Sequence, residues 1–274
     1  FHPGRGRRGA GHRSWDFLRW DDWDGKRGNI HMKRMIVGVL ALGLGACAGA
    51  PQGDSIPIHD FDPSFSSAMC ASAGWDRAKL DDLKAAKFEI ADNEARQAFA
   101  KAITACLASP DPELRDKIAF EALTHMLRGR QLSAPTQKAL LADLVARLDA
   151  PAGQGFEQPF AALALSEVAR ADRVEAFLTE DELIKLLVDA QHWFINVSDY
   201  RGYDAAEGWR HGVAHGADLL MQLALNPRID AEGLSVIVSA VGAQAAPKGH
   251  AYVFGESERL ARPVLIAAGR GALD

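Results

Sequence analysis

The sequence has few of the features that would place its folded part in a membrane or on nucleic acid. No segment is apolar for the roughly 20 residues that a membrane-spanning helix needs, and the apolar run at residues 35–44 is much too short. Basic residues are in the minority, with 31 Lys and Arg against 36 Asp and Glu. A net charge of −5 argues against nucleic acid and against anionic lipid as partners.

Strand-type alternation of apolar and polar residues is also nearly absent, except for short scraps near Tyr252. From Trp75 onward, apolar residues recur with helical spacing. Capping residues such as Asp92 and Asp230 separate these stretches, and "TEDE" at 179–182 has the pattern of a capping box. About nine helices joined by short polar turns predict an all-α fold, in which antiparallel helix pairs form an α-α superhelix, a helical-repeat-like array.

The start of the chain differs in character from the rest. Residues 1–31 are rich in Arg, Gly and Trp without an apolar period, and we interpret them as an upstream artefact that precedes Met32. A short basic region, the apolar run and small residues then form a signal peptide at 32–46. Its end, "LGAC", resembles the lipobox of bacterial lipoproteins, whose cysteine, here Cys47, is lipid-modified. The alternative is an ordinary signal peptide cut near Ala50, which also exports the protein.

These features predict an exported protein that is held at a membrane through lipid on Cys47. Ala48 is not the aspartate associated with inner-membrane retention, which favours the outer membrane, facing the periplasm. Residues 47–70 are rich in Pro, Gly, Ser and Asp and predict a tether, and residues 71–274 predict the helical domain. Nine of the 31 Lys and Arg and four of the 36 Asp and Glu precede Cys47, so the mature chain has a net charge near −10.

Two cysteines remain in the mature chain after Cys47. Export would allow Cys70 and Cys106 to form a disulfide that joins the tether to the first helices. The alternative is a buried free thiol, because Cys106 lies on an apolar helical stripe with Phe99 and Ile103. Both interpretations stay open.

The stretch "HGVAHGAD" at 211–218 holds the strongest candidate for chemistry. On a helix, His211, His215 and Asp218 share one face. Two histidines four residues apart can bind one zinc ion, and an aspartate one turn further on could supply an oxygen ligand. Gly212 follows His211 in place of the glutamate of zinc proteases, which argues against a protease of that kind. The competing interpretation is that these polar groups join neighbouring helices or contact a ligand in a groove.

Further polar residues cluster around this helix in the sequence. The preceding loop and the start of the last helix complete the candidate ligand-binding set, which comprises Asp199, Arg201, Trp209, His211, His215, Asp218, Glu258 and Arg259. Taken alone, each charged member is most often a cap or a solvated salt bridge, worth less than about 1 kcal/mol. Together they could form a buried network or line a cleft.

Three stretches carry a resemblance to a known family: "SPDPELRDKIAFEAL" at 109–123, "DYRGYDAAEGWRHGVAHGADLLMQLALNP" at 199–227, and "ESERLAR" at 256–262. In this order and spacing they resemble the bacterial family catalogued as domain of unknown function 2785, over residues 80–265. Where that family tends to have arginine and serine before a phenylalanine, this sequence has Gln158 and Pro159 before Phe160. The resemblance implies an all-helical fold and brings no activity.

Three functional hypotheses follow. The first is a binding or scaffolding module of the cell envelope, with a polar groove around His211, His215 and Asp218 that takes an envelope protein or a small ligand. The second is a metal-dependent hydrolase, in which these residues hold zinc and an acid such as Glu258 activates water. In the third, the same residues only make hydrogen bonds between helices.

Overall fold

The computed structural model describes residues 75–271, and this part of the chain is mostly helical. Its nine helices are α1 (Arg77–Ala85), α2 (Asn93–Ala102), α3 (112–128), α4 (Ala134–Leu148), α5 (Glu157–Val174), α6 (Glu180–Ile195), α7 (Gly212–Leu225), α8 (Ala231–Gln244) and α9 (Glu256–Gly269). A 3₁₀ segment, Ile103–Ala108, extends α2. None of the described helices combines the length and the apolar character that crossing a bilayer requires.

Side-chain caps start several helices at the residues that the sequence predicts. Asp92 accepts a hydrogen bond from the backbone N–H of Ala95, and Asp230 accepts one from that of Gly233. At α6, Thr179 and Glu182 form the predicted capping box. Because the first N–H groups of a helix have no partner within it, such caps fix where each helix begins.

Two helices have features that their apolar pattern does not show. Helix α3 consists of Pro112–Leu114, a π-helical turn at Arg115–Phe120 and Glu121–Arg128. The π turn carries Arg115, whose guanidinium is fully buried and donates to the backbone oxygens of Ser109 and Glu207 at 2.9 Å each. In α9, Pro263 lies inside the helix.

Helix α7 lies at the centre of the packing. It packs against α5 on one side and α9 on another, and also contacts α6 and α8. Its residues are buried around the whole circumference, from Gly212 through Leu220. At Gly216 the neighbouring helix approaches so closely that a Cβ would lie 2.3 Å from the Phe194 ring. The glycine therefore allows α6 to pack directly on α7.

The described strands occur at a place that the sequence pattern does not predict. Tyr203–Asp204 (β1) and Gly208–Trp209 (β2) form a two-residue antiparallel ladder in the loop before α7. The residues near Tyr252 form no strand. A ladder this short has no alternation for a sequence pattern to reveal.

All described residues belong to one compact unit of the chain. The predicted artefact, signal peptide, lipid site at Cys47 and tether lie outside the described residues. Cys106 is buried and disulfide-bonded. Its predicted partner, Cys70, also lies outside the described residues, so this pairing stays a prediction.

Candidate functional site

His211 lies at the start of α7 in an unusual backbone conformation. It is the N-cap residue, with φ of 59° in the left-handed region, and it is only 8% exposed. Its Nδ1 atom has no hydrogen-bond partner among the described residues, and the Glu256 Oε1 atom of α9 is 3.6 Å away. The crevice around these two side chains leaves no room for a water molecule. His211 therefore faces α9 rather than solvent.

His215, one turn further on, faces a different helix. Its Nδ1 atom is 3.2 Å from the backbone oxygen of Pro159 in α5, and its ring meets Phe160 edge-on at 5.0 Å between ring centres. The residue is 1% exposed. This side chain joins α7 to α5, which is the role that the interhelix hypothesis predicts.

Asp218 completes the polar face of α7 and pairs with α9. Arg259 donates to its Oδ2 atom, while Oδ1 is buried without a hydrogen-bond partner in the described part of the chain. Burial raises the pKa of Asp218, and the charge and hydrogen bond of Arg259 oppose that shift. The pair is a buried ion pair between helices.

Burial also governs the protonation of the two histidines. Desolvation, with a further contribution from the charge of Arg259, lowers the pKa of His211 to about 4. Desolvation lowers the pKa of His215 well below its ordinary value, and the charge of His211 acts in the same direction. Both rings are therefore neutral at pH 7.

The predicted zinc ligands do not converge on one point. Although the two histidine rings are 5.6 Å apart between centres, His211 faces α9, His215 faces α5 and Asp218 pairs with Arg259. Within residues 75–271, no group of three or more His, Cys, Asp and Glu side chains is arranged to hold a metal ion. The geometry thus gives the predicted hydrolase no support.

Glu258, the predicted acid of the hydrolase, lies away from the histidines. Its side chain is 72% exposed and pairs with Arg262 one turn along α9. Side-chain hydrogen bonding from Arg262 lowers its pKa. Glu256, two residues earlier, is the carboxylate that faces His211, and it is not among the site residues predicted from the sequence.

Trp209 belongs to an aromatic group at the hairpin. Its ring lies 4.6 Å from that of His211, 5.1 Å from Tyr203 and 5.6 Å from Phe254, between ring centres. Phe254 packs against Gly202, where a Cβ would lie 2.0 Å from the phenylalanine ring. These contacts hold the hairpin loop onto the loop that precedes α9.

Asp199 and Arg201 form a clamp in the loop before α7. The Arg201 guanidinium donates to both carboxylate oxygens of Asp199, at 2.8 and 2.6 Å. Burial by itself would raise the pKa of Asp199, but the hydrogen bonds from Arg201 hold it below its ordinary value. Gly155 passes beside the clamp with φ of 85°, and a Cβ there would lie 2.5 Å from Asp199 Oδ2. A glycine is needed at this crossing because of both its conformation and the close approach.

A cleft of about 450 Å³ opens at the N-terminal end of α7. The ends of α4 and α6, the starts of α5 and α7, and the loop at 197–199 surround it. Its polar side chains are those of Asp149, Gln158, His192, Asn196, Ser198 and Asp199. Of the predicted ligand-binding residues, only Asp199 lines it. The volume lies within the roughly 300–1,000 Å³ that is usual for small-molecule sites.

Several side chains in the cleft wall are held in fixed positions. The Trp193 indole N–H lies 3.5 Å from Gln158 Oε1, and Gln158 donates to the backbone oxygen of Ala150. Asn196 donates to the backbone oxygen of His192 at 2.7 Å. The sequence signals of this site are the breaks "PAGQG" at 151–155 and "NVSD" at 196–199, which are far apart in the chain. The packing of α4, α5 and α6 brings these two segments together.

The fold and cleft define a mostly helical protein with a small-ligand-sized cleft at the end of its central helix. A family model described as "Protein of unknown function (DUF2785)" matches residues 121–274. The chain belongs to this family, and the match covers every cleft residue. The resemblance at residues 80–120 lies outside it. No curated protein and no solved structure matches the chain.

Proposed function

We propose that the protein is a binding module of the bacterial cell envelope that takes a small polar ligand into the cleft at the end of α7. The single observation that carries this proposal is the open cleft of about 450 Å³ with six polar side chains in its wall. The polar face of α7, in contrast, is closed by α5 and α9. We therefore place the ligand site at the end of α7 and not on its polar face.

The state of the cleft side chains supports recognition of a ligand. Gln158, Trp193 and Asn196 are fixed by internal hydrogen bonds, so their positions are set before a ligand arrives. Asp149, His192 and Ser198 are exposed, and their side chains are engaged with no other described residue. A preorganised wall with uncommitted polar groups suits binding.

The same cleft gives less support to catalysis. Asp149, His192 and Ser198 are the residue types of a nucleophilic triad, but no hydrogen bond or ion pair joins any two of their side chains in the described structure. A triad needs its nucleophile, base and orienting acid within hydrogen-bond reach. We therefore propose a binding protein and no enzyme.

The remaining parts of the proposal concern the location and the larger architecture. The protein is exported and anchored through lipid on Cys47, in the outer membrane, facing the periplasm. The signal-type region at 32–46 and the "LGAC" ending support this location. The antiparallel helix pairs form an α-α superhelix. The acidic balance of the chain argues against nucleic acid as a partner.

A screen of the full chain against a library of small polar compounds, by ligand-observed NMR, tests the binding site. In one variant, Ser198→Trp fills the cleft, and in the matched control Ser257→Trp places the same ring on the exposed first turn of α9. We expect compounds that bind the parent and the control and are lost with Ser198→Trp. The absence of any bound compound, or equal binding to both variants, would overturn the proposal.

Labelling cells with a fatty-acid analogue tests the anchor. We expect lipid on the full chain and its recovery with outer membranes, and loss of both in Cys47→Ala. If the parent carries no lipid, or if Cys47→Ala is labelled equally, the anchor proposal is wrong.

A further inference from the structure

We infer that the ligand of the cleft carries a protonated primary amine on a hydroxyl-bearing body, as amino sugars do. This inference rests on the proposed function, because it takes the cleft as the ligand site. It goes further by assigning the charge and the hydrogen-bonding character of the ligand.

The charged side chains of the cleft are of one sign. Thirteen residues line it, and among them Asp149 and Asp199 are carboxylates, while none is a lysine or an arginine. A ligand that carries a carboxylate or a phosphate would meet these two acids without a cationic side chain in the lining. A ligand with an ammonium group would be attracted by both.

Arg201 weakens the attraction that one of these acids, Asp199, exerts on an ammonium group. It clamps the Asp199 carboxylate by two hydrogen bonds, although it is not itself a lining residue. The Asp149 side chain has no ion-pair partner among the described residues and is exposed. Asp149 is therefore the residue that we assign to the amine, with Asp199 as a second acceptor.

The helix ends around the cleft do not change the preference for a positively charged ligand. Asp149 and Asn196 are the C-cap residues of α4 and α6, whose ends carry a partial negative charge of about half a unit. Gln158 and Gly212 lie in the first turns of α5 and α7, whose ends carry a similar positive charge. Because two ends of each kind meet, their contributions offset one another, and the side chains decide the charge preference.

The neutral groups of the wall suit hydroxyl groups. The side chains of Gln158, His192, Asn196 and Ser198 can each donate and accept hydrogen bonds. Trp193 and Val197 add apolar surface beside them. A sugar ring presents both hydroxyl groups and apolar C–H faces, so an amine on such a ring matches the two acids and the neutral wall together.

Binding of four matched monosaccharides to the full chain tests the inference. The probes are glucosamine, N-acetylglucosamine, glucose and glucuronate, titrated at about pH 7 and low salt, with the Trp193 indole NMR signal as the readout. The signal is assigned with Trp193→Phe. We expect glucosamine to bind at least about tenfold more tightly than the two neutral sugars, with glucuronate weakest and the advantage reduced by salt.

Two substitutions then assign the effect to the cleft. Asp149→Asn should remove most of the preference for glucosamine over glucose, whereas Asp181→Asn, at the opposite end of α6, should leave it unchanged. Equal binding of the charged and neutral sugars, a preference that survives Asp149→Asn, or no shift with any of the four sugars would overturn the inference. If library compounds still occupy the cleft in that case, only the amino-sugar inference fails. If none does, the proposed function fails with it.

Discussion

The polar centre of α7 and the cleft beside its first residue differ in whether their side chains are buried and paired or exposed and open. At the centre, His215 and Asp218 are each 1% exposed and are bound to α5 and α9. At the cleft, Asp149 and Ser198 are exposed, and their side chains are engaged with no other described residue. The histidine motif at 211–218 therefore lies in the interior, while Asp149 and Ser198, which belong to no motif, remain open to a ligand.

The difference teaches that the two regions should respond oppositely to substitution. A buried polar group costs free energy whenever its partner is lost, because it cannot turn to water. An exposed side chain at a cleft loses little stability when it is changed, but any ligand loses a contact. Stability and binding measurements on the same variants therefore separate the two regions.

The largest effect is expected at the buried ion pair. Arg259→Met leaves the Asp218 carboxylate in the interior without its cation, and we expect a loss of about 3–5 kcal/mol in the free energy of unfolding, measured with urea. Glu258→Gln, which removes the neighbouring exposed ion pair, should cost less than about 1 kcal/mol. Similar losses in the two variants would contradict the burial of the Asp218 pair.

The next effect concerns pH. The pKa of His211 falls from 6.5 to about 4 on folding, so its contribution to stability is present above pH 6.5 and is lost as the pH falls toward 4. His211→Asn keeps a residue that tolerates the left-handed conformation and has no titrating ring. From about pH 7.5 to about pH 5, we expect the parent to lose roughly 2 kcal/mol more than this variant.

The comparison of parent and variant is needed because another group changes the stability with pH in the opposite direction. Burial raises the pKa of Asp116 from 3.8 to about 6, so its contribution favours the folded state at low pH and is lost as the pH rises through about 6. Asp116 is present in both proteins, and its effect cancels in the difference. Identical pH profiles of the parent and His211→Asn would show that His211 titrates normally in the folded protein.

A smaller effect is expected at the contact of α6 with α7. Gly216→Ala would place a Cβ 2.3 Å from the buried Phe194 ring, and the shift it forces should cost about 1–3 kcal/mol. At Gly242, in α8, a Cβ meets nothing within 4 Å, so Gly242→Ala should gain roughly 0.5–1 kcal/mol through helix propensity. Thermal unfolding of the two variants measures this difference in sign, and a neutral Gly216→Ala would contradict the close packing.

The smallest effect on stability is expected at the cleft. Asp149→Asn should change the free energy of unfolding by no more than about 0.5 kcal/mol, because the side chain is exposed and has no ion-pair partner among the described residues. The same variant should lose the glucosamine preference. A large loss of stability would mean that Asp149 supports the fold and would end the contrast between the two regions.

Much of the fold could be predicted from local patterns. The capping box at Thr179 and the cap at Asp92 are confirmed, because a cap depends on a few adjacent residues. The π turn at Arg115 could not be predicted. It depends on contacts of the guanidinium with Ser109 and Glu207, and Glu207 is remote in the sequence.

The candidate site was harder to predict than the fold. The shared helical face of His211, His215 and Asp218 is a local property, but which helices cover that face is not. Asp199 was the one predicted ligand-binding residue that lines the cleft, and Asp149 and His192 carried no motif. Their proximity depends on where α4 and α6 end relative to α7.

By itself, the sequence determined the helical composition, the starts of several helices and the family, because periodicity, caps and motifs depend on residues that are neighbours in the chain. The tertiary structure alone decided that the polar face of α7 is interior and that the open cleft lies at its end. The physical reason is that burial depends on which helices pack together, and a single side chain such as Asp218 is stable inside only because Arg259 arrives from α9.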